Sequence, residues 1–403
     1  MKDVLVNRLI KLEIKRQQET IDLIASENYA SPDVLSVLGS PLMNKYSEGY
    51  AGKRYYPGNE YYDQVERLAI DRALKAFKLK PSEWAANVQP YSGSPANFAI
   101  YSALMNPGEI LMGMKLPAGG HLTHGHKVSF TGKFFNSVQY DIDHETGLLD
   151  YEAIKRLAEE HRPRVIVSGA TAYPRKIDFE KFGEIAKRIG AYHVADISHI
   201  AGLVMAGIHP SPFPHSDVVM TTSHKTLRGP RGAVIFSRKE VSERIDKAVF
   251  PGVQGGPHNN ATAAKAIMFF EALQPGFKKY QQQILKNSKV LADSLLAAGF
   301  TLVTGGTDNH MLLLDLKTSG MEGMEAEKIL EANGITANRN SIPGDPSPFK
   351  PSGLRIGTPA VTTRGMKEKE MKLIADLIRR ALIKKENVRK EVVVLCKKFP
   401  LPY

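Results

Sequence analysis

The chain has 403 residues, 42% hydrophobic and 24% charged, an ordinary globular balance with length for two domains or three. Its single cysteine, Cys396, excludes an internal disulfide and any cysteine-built metal centre. The net charge of +12, from 54 basic and 42 acidic residues, suits an anionic ligand or nucleic acid, and equally a solvated lysine-rich surface. No aromatic residue interleaves the basic stretch 367–385 to stack bases, so nucleic acid is not expected as the primary partner.

Residues 3 to about 25 space Leu5, Leu9 and Leu12 as a helix does. Met1–Glu19 is charged throughout, without the apolar region of a secretion signal, and no run approaches the ~18 apolar residues that span a bilayer. A soluble, cytoplasmic protein is expected. From Asn44 to Tyr62 runs a polar, glycine-containing loop with tyrosines at 46, 50, 55, 56, 61 and 62, and loops that aromatic usually cover something. Helical spacing resumes at Val65, Leu68, Ala69 and Ala73. Short apolar runs then read as strands at Glu109–Met114, Arg164–Ser168, Tyr192–Ile197, Asp217–Thr222 and Ala233–Ser237, with helical stretches such as Phe179–Arg188 between several of them. That alternation predicts an α/β fold with a mainly parallel central sheet flanked by helices, and ligands at the carboxyl ends of its strands. After the glycine-rich turn Pro251–Pro257 come long helices to about Ala298. Strands at Thr301–Val303, Met311–Leu316, near Ile335–Asn338 and at Leu354–Ile356 follow, with a helix from about Met324. The expected division is 1–60 for the N-terminal helix and loop, 61–275 for a large domain, and 276–403 for a smaller C-terminal α/β domain.

Lys225 follows the strand Val218–Met220 in Ser223-His224-Lys225-Thr226, with Arg228 and Arg231 close behind. A strand-end lysine whose pKa is lowered by burial or nearby positive charge can form a Schiff base with an aldehyde; a surface loop lysine would look the same in sequence. Asp196 ends another strand, in Ala195-Asp196-Ile197-Ser198-His199. A carboxylate there can pair with a protonated ring nitrogen, or simply cap a helix. Tyr91-Ser92-Gly93-Ser94-Pro95-Ala96-Asn97 opens a helix to about Met105, with Pro95 suited to its first position. Such an N-terminus is a phosphate site or an ordinary cap, and no nucleotide P-loop pattern is present. His121 lies in Gly119-Gly120-His121-Leu122-Thr123-His124-Gly125-His126. No carboxylate or thiol completes a metal set there, so no metal is expected, and the glycines suit an imidazole laid against a planar group. Arg355 sits in the apolar run Leu354-Arg355-Ile356, where a buried guanidinium needs a partner: a structural carboxylate or a ligand's.

Together these segments resemble serine hydroxymethyltransferase along essentially the whole chain. The motifs that carry the resemblance are LIASENY (Leu23–Tyr29), NKYSEGYAGKRYY (Asn44–Tyr56), SGSPAN (Ser92–Asn97), GGHLTHG (Gly119–Gly125), DISHIAGL (Asp196–Leu203), TTSHKTLRGPRG (Thr221–Gly232), GVQGGPH (Gly252–His258) and SGLRIGTPAVTTRG (Ser352–Gly365). The resemblance implies the type I fold of pyridoxal-phosphate-dependent transferases. It implies that Lys225 forms the internal aldimine with pyridoxal 5'-phosphate, with His224 beside it and Thr222 and Arg231 supporting the loop. Asp196 pairs with the ring nitrogen, His199 and Thr171 lie near the cofactor, and His121 stacks on the ring. Ser92, Gly93 and Ser94 hold the phosphate, helped by Tyr46 and Gly256 of a second subunit. Arg355 grips the substrate carboxylate with Ser26 and Tyr56, and Glu48 is the acid–base candidate at the substrate hydroxyl. Leu116, Leu122 and Asn340 resemble contacts to the carbon acceptor, tetrahydrofolate or a related pteridine. Serine and glycine are the implied substrates, and sites shared between subunits imply a homodimer or a tetramer.

Three departures stand out. Tyr91 and Pro95 replace the family's more frequent His and Gln, and Thr171 replaces a serine. The segment Asn340–Phe349 is one residue short and has Gly344 where a larger residue is common, which motivates a pteridine-independent β-hydroxy-amino-acid aldolase as the alternative. A nucleic-acid-binding side role is the alternative that the charge motivates.

Overall fold

The alternating apolar runs assemble into one seven-stranded sheet. Across it stand Trp84–Asn87, Ala233–Arg238, Val218–Thr222, Tyr192–Asp196, Val165–Ser168, Ile110–Met114 and Asn136–Tyr140. Only Ala233–Arg238 runs against its neighbours, so the sheet is mainly parallel, as the alternation predicts. Each inner strand feeds two cores by its period of two. Val165, Val167, Val194, Val218 and Ile235 pack on one face, while Ile166, Ala195, Val219, Val234 and Phe236 pack on the other. The two strands that the sequence reading lacks are the outermost ones. The edge strand Asn136–Tyr140 (NSVQY) is mostly outside the core and carries no continuous apolar run, and Trp84–Asn87 (WAAN), though largely buried, is only four residues long and has no β-branched residue.

The structure is a computed structural model that describes residues 2–345 and 350–403. It divides into two units, residues 30–281 and residues 1–29 with 282–403. The second unit holds an antiparallel sheet in the order Thr301–Leu302, Met311–Asp315, Gly353–Gly357 and Asn338–Asn340. Beside it, Ile21–Asp22 pairs in parallel with Ile335–Thr336. That pairing corrects the first predicted helix, which spans Val4–Gln18 and stops short of residue 25 because the chain must extend to join the strand. Asp3 caps its start by accepting from Val6 N at 3.0 Å. Buried Arg364 closes its end, donating to the carbonyls of Gln17, Gln18 and Thr20. None of the helix's own residues is buried. Among the described residues no helix is long and apolar enough to cross a membrane.

In the first unit the tyrosine loop is a small ribbon, Gly49–Tyr50 against Lys53–Arg54. Gly49 has φ +92°, and a Cβ there would collide with Lys53 O, so only glycine fits. Beneath the sheet's end lies Lys265, 2% exposed, on the helix Asn259–Ala272. Its Nζ donates to Val88 O at 2.6 Å and to Pro90 O at 3.0 Å, just before the Ser92–Ser94 segment. Burial pushes its pKa down to about 7. A neutral amine has two N–H bonds, and the two carbonyls take both.

Candidate active site

Strands that run the same way end on the same side, and the chemistry-bearing residues of the first unit follow those ends. Asn87, Met114, Ser168, Asp196 and Thr222 close their strands, and Ser92, His121, Thr171 and Lys225 stand in the loops beyond.

Asp196 is the electrostatic centre of this unit. Its Oδ2 accepts from Asn97 Nδ2 at 3.0 Å and His124 Nε2 at 3.2 Å, and its Oδ1 accepts from Ser198 N at 3.0 Å. Burial alone would raise its pKa, but these donors, His124 first, hold it far below the usual carboxylate range. The carboxylate is therefore ionised, with acceptor capacity left for a further donor. His121 lies close by. Thr123 N–H and Thr123 Oγ1 approach its Nδ1 at 3.2 and 2.7 Å. Burial first, then His124, push its pKa down to about 4, so it is a neutral imidazole near pH 7. The loop that carries it is tied down by Thr171, whose hydroxyl donates to Gly120 O at 3.0 Å. Thr171 thus positions the His121 loop.

Lys225 Nζ donates to Thr222 Oγ1 at 2.8 Å. Thr222 N is bonded in turn to Ser198 Oγ at 3.0 Å, so the amine rests on the end of Val218–Thr222, the parallel neighbour of the strand that ends at Asp196. The loop is closed by Arg228 N to Lys225 O at 3.0 Å and Gly229 N to Ser223 O at 2.8 Å. Thr226 Oγ1 donates to His199 O at 3.1 Å, and His199 is buried. Arg231 Nη1 lies 3.2 Å from His224 Nε2, which must accept, and burial with Lys225 and Arg231 pushes the His224 pKa down to about 3. His224 Nδ1 is left buried without a hydrogen-bond partner. Arg228 lies 4.8 Å over the Tyr280 ring and 4.0 Å from Glu271, so it serves those two groups.

The helix Gly93–Leu104 starts at the same end. Ser92 occupies its N-cap without making a capping bond, and Ser94 is exposed. Gly93 packs so closely that a Cβ would lie 2.9 Å from Thr222 Cγ2. Pro95 is the third helical residue, not the first, and still costs nothing because the N–H it lacks has no partner within the helix. Tyr91 fixes the preceding turn: its hydroxyl donates to Gly256 O at 2.6 Å, and its ring stacks on His258 at 4.1 Å.

Tyr46, Tyr56, Glu48 and Gly256 form their own group. The rings of Tyr46 and Tyr56 meet edge to face at 5.1 Å, and Glu48 raises the Tyr46 pKa by its charge and a hydrogen bond. A Cβ on Gly256 would be 3.5 Å from the Tyr46 ring, and one on Gly255 would be 3.3 Å from Glu48 Oε1. None of the four bonds to Asp196. Leu116 is half-buried and Leu122 exposed in the His121 loop.

In the other unit, Arg355 is buried on the strand Gly353–Gly357. Its Nε donates to Asn338 Oδ1 at 3.1 Å, across the ladder where the two residues are register partners, and its Nη2 to Ser26 Oγ at 3.4 Å. Burial lowers its pKa to about 10, more than Glu27 opposite restores, and it stays charged at neutral pH. Asn340 is half-buried and donates to Ser341 O at 2.6 Å. Of the shortened segment, Gly344 takes φ +80° and Asp345 accepts from Ile342 N and Ser352 N, while residues 346–349 lie outside the described residues.

Roles for Asn97, Thr123, His124 and Asn338 are not legible in the sequence. The first three lie inside two of the quoted motifs, but their contacts join segments far apart in the chain. The histidines of Gly119–His126 do not converge: His124 turns to Asp196 and His126 to Val128 N. Among the described residues no group of three or more His, Cys, Asp or Glu side chains is arranged to hold a metal ion.

An ionised buried carboxylate, a strand-end lysine and an uncapped helix start fit a pyridinium ring, an aldehyde and a phosphate on one cofactor. His224 Nδ1 adds a buried polar atom still to be satisfied. The family model described as serine hydroxymethyltransferase matches residues 1–378 of the 403.

Proposed function

The chain belongs to the serine hydroxymethyltransferase family of pyridoxal-phosphate-dependent transferases, and from that membership we propose how its residues divide the work. The reaction is the reversible transfer of the serine hydroxymethyl carbon to tetrahydrofolate, giving glycine and 5,10-methylenetetrahydrofolate. Bound pyridoxal phosphate supplies an electron-withdrawing ring that accepts the electron pair left on the amino-acid carbon. Lys225 holds the cofactor's aldehyde, and Thr222 orients its amine. Asp196, kept ionised by three donors, holds a proton on the ring nitrogen. His121, neutral and half-buried, lies against the ring without adding charge. His199, His224, Thr171 and Arg231 support that arrangement. Ser92, Gly93 and Ser94 bind the phosphate at the helix start.

Arg355 takes the amino-acid carboxylate in a forked pair, helped by Ser26, while Asn338 fixes its Nε. Glu48 handles the proton of the substrate hydroxyl. It acts with Tyr46, Tyr56 and Gly256 on the site of a second subunit, and their clustering as one group supports a joint contribution. The helix Val4–Gln18, whose Val4, Leu5, Leu9 and Leu12 are exposed, supports at least a homodimer. Leu116, Leu122 and Asn340 contact the pteridine. A cytoplasmic site of action is part of the same proposal, and the one thiol, buried Cys396, suits a reducing compartment.

The observation that carries this reading is the Lys225–Thr222 strand end beside the ionised Asp196. An absorbance spectrum of the protein loaded with pyridoxal phosphate tests it. The expected result is a visible band that is absent in Lys225→Ala, and a longer-wavelength band that grows only with glycine and tetrahydrofolate together. No visible band in the wild type overturns the role of Lys225. A band that responds to glycine but ignores the folate favours the aldolase.

A further inference from the structure

We propose that Asn97 positions both the Asp196 carboxylate and the His121 ring, through one amide group that serves the two sides at once. The inference deepens the proposed function and rests on it for the meaning of those two groups. Asn97 stands in the second turn of the helix Gly93–Leu104 and is completely buried. Its Nδ2 donates to Asp196 Oδ2 at 3.0 Å and to Thr123 Oγ1 at 2.9 Å, which uses both amide protons.

The orientation of that amide follows from its neighbours. Turned over, it would bring Oδ1 against an ionised carboxylate oxygen, two acceptors with no proton between them. In the orientation seen, Oδ1 is buried without a hydrogen-bond partner. The protein therefore leaves one polar atom unsatisfied to keep both donations, which marks a constraint beyond packing.

The constraint passes to His121. Thr123 Oγ1 accepts a hydrogen bond from Asn97, so its own O–H is free to donate to His121 Nδ1, 2.7 Å away. Thr123 N–H meets the same nitrogen at 3.2 Å. With two donors at Nδ1, the neutral ring carries its proton on Nε2. The charged and titratable groups that act on this ring are His124, Asp196 and Lys225. His124 is set in parallel: His121 N lies 3.4 Å from its Nδ1, which leaves its Nε2 proton for Asp196. The group that holds the ring nitrogen and the group that lies on the ring thus answer to one side chain, a positioning residue that need not touch the cofactor.

Two variants separate the branches. Asn97→Leu removes both donations at similar volume, and Thr123→Val removes only the hydroxyl link to His121. The first readout is the nitrogen NMR signal of the His121 ring in ligand-free protein, identified by its loss in His121→Gln. The second is the pH midpoint of the bound cofactor's visible band. The wild type should show a single Nε2–H tautomer, and both variants a mixture. In Asn97→Leu the midpoint should move by roughly half a unit or more, and kcat should fall about 10- to 100-fold with KM for serine within about threefold. Thr123→Val should disturb His121 and leave the midpoint nearly in place. A single Nε2–H tautomer in both variants overturns the proposal. If Asn97→Leu does not fold, the Thr123→Val tautomer alone decides. Should the wild type bind no pyridoxal phosphate, the proposed function fails while the ligand-free tautomer still tests Asn97.

Discussion

Asp196 and Arg355 are both charges taken out of water, one in each unit, and their surroundings treat them differently. Three donors surround Asp196 and drive its pKa down in spite of burial. Arg355 has Asn338 and Ser26 on its fork and Glu27 across from it, yet burial still wins and its pKa falls to about 10. The carboxylate is finished by the protein: its charge is stabilised before any ligand arrives. The guanidinium gains from an added carboxylate, because a bidentate anion restores what burial takes away. The difference suits the roles proposed for the two residues, Asp196 for a cofactor that stays and Arg355 for a substrate that comes and goes.

The largest expected effect comes from breaking the finished side. Asp196→Asn keeps the shape and loses the charge that, in the role proposed for it, holds a proton on the ring nitrogen. kcat should drop by roughly a thousandfold, with a shifted visible band and little change in the thermal midpoint. Steady-state kinetics beside the spectrum check this, and a loss under about tenfold would mean that the ring nitrogen is protonated by other means. Arg355→Lys breaks the other side. Lysine keeps the charge but cannot donate to Asn338, Ser26 and a carboxylate in a planar fork. KM for serine should rise about 30- to 100-fold, while the cofactor band stays where it is. A band that moved with the substitution would show that Arg355 also shapes the cofactor's surroundings.

Much of this contrast is legible in the residues themselves. Asp196 and Arg355 end or interrupt an apolar run and Lys225 stands in the loop just beyond one, and a charged group beside a buried strand announces a cost that something must offset. The inner strands of the sheet are legible for the same reason, since a strand covered on both faces is apolar throughout. What sequence cannot supply is the partner. Asn97 meets Asp196 across 99 residues, His124 across 72, and Asn338 meets Arg355 through a strand register that no periodicity encodes. The tautomer of His121 lies further still from the sequence, because it depends on two donors converging on one nitrogen.

Lys265 sharpens the comparison by carrying it to its limit, with the smallest effect of the three. Burial pushes its pKa from 10.5 down to about 7, and the nearby Glu66 only partly opposes this. Between those two pH values the unfolded chain keeps a proton that the folded chain has released, so folding stability should rise with pH across the window and fall again as pH returns toward 7. One proton gives a slope of at most about 1.4 kcal/mol per pH unit. Lys265→Met has no such proton, and every other titrating group is shared, so the difference between the two denaturation midpoints isolates this one amine. The wild type should gain on the variant steadily from pH 7 to 10.5. A constant difference would mean that the amine stays charged under the Pro90 turn. Lys265 would then resemble Arg355, a buried cation whose charge persists. A rising one makes it a neutral strut whose two N–H bonds match the two carbonyls of Val88 and Pro90.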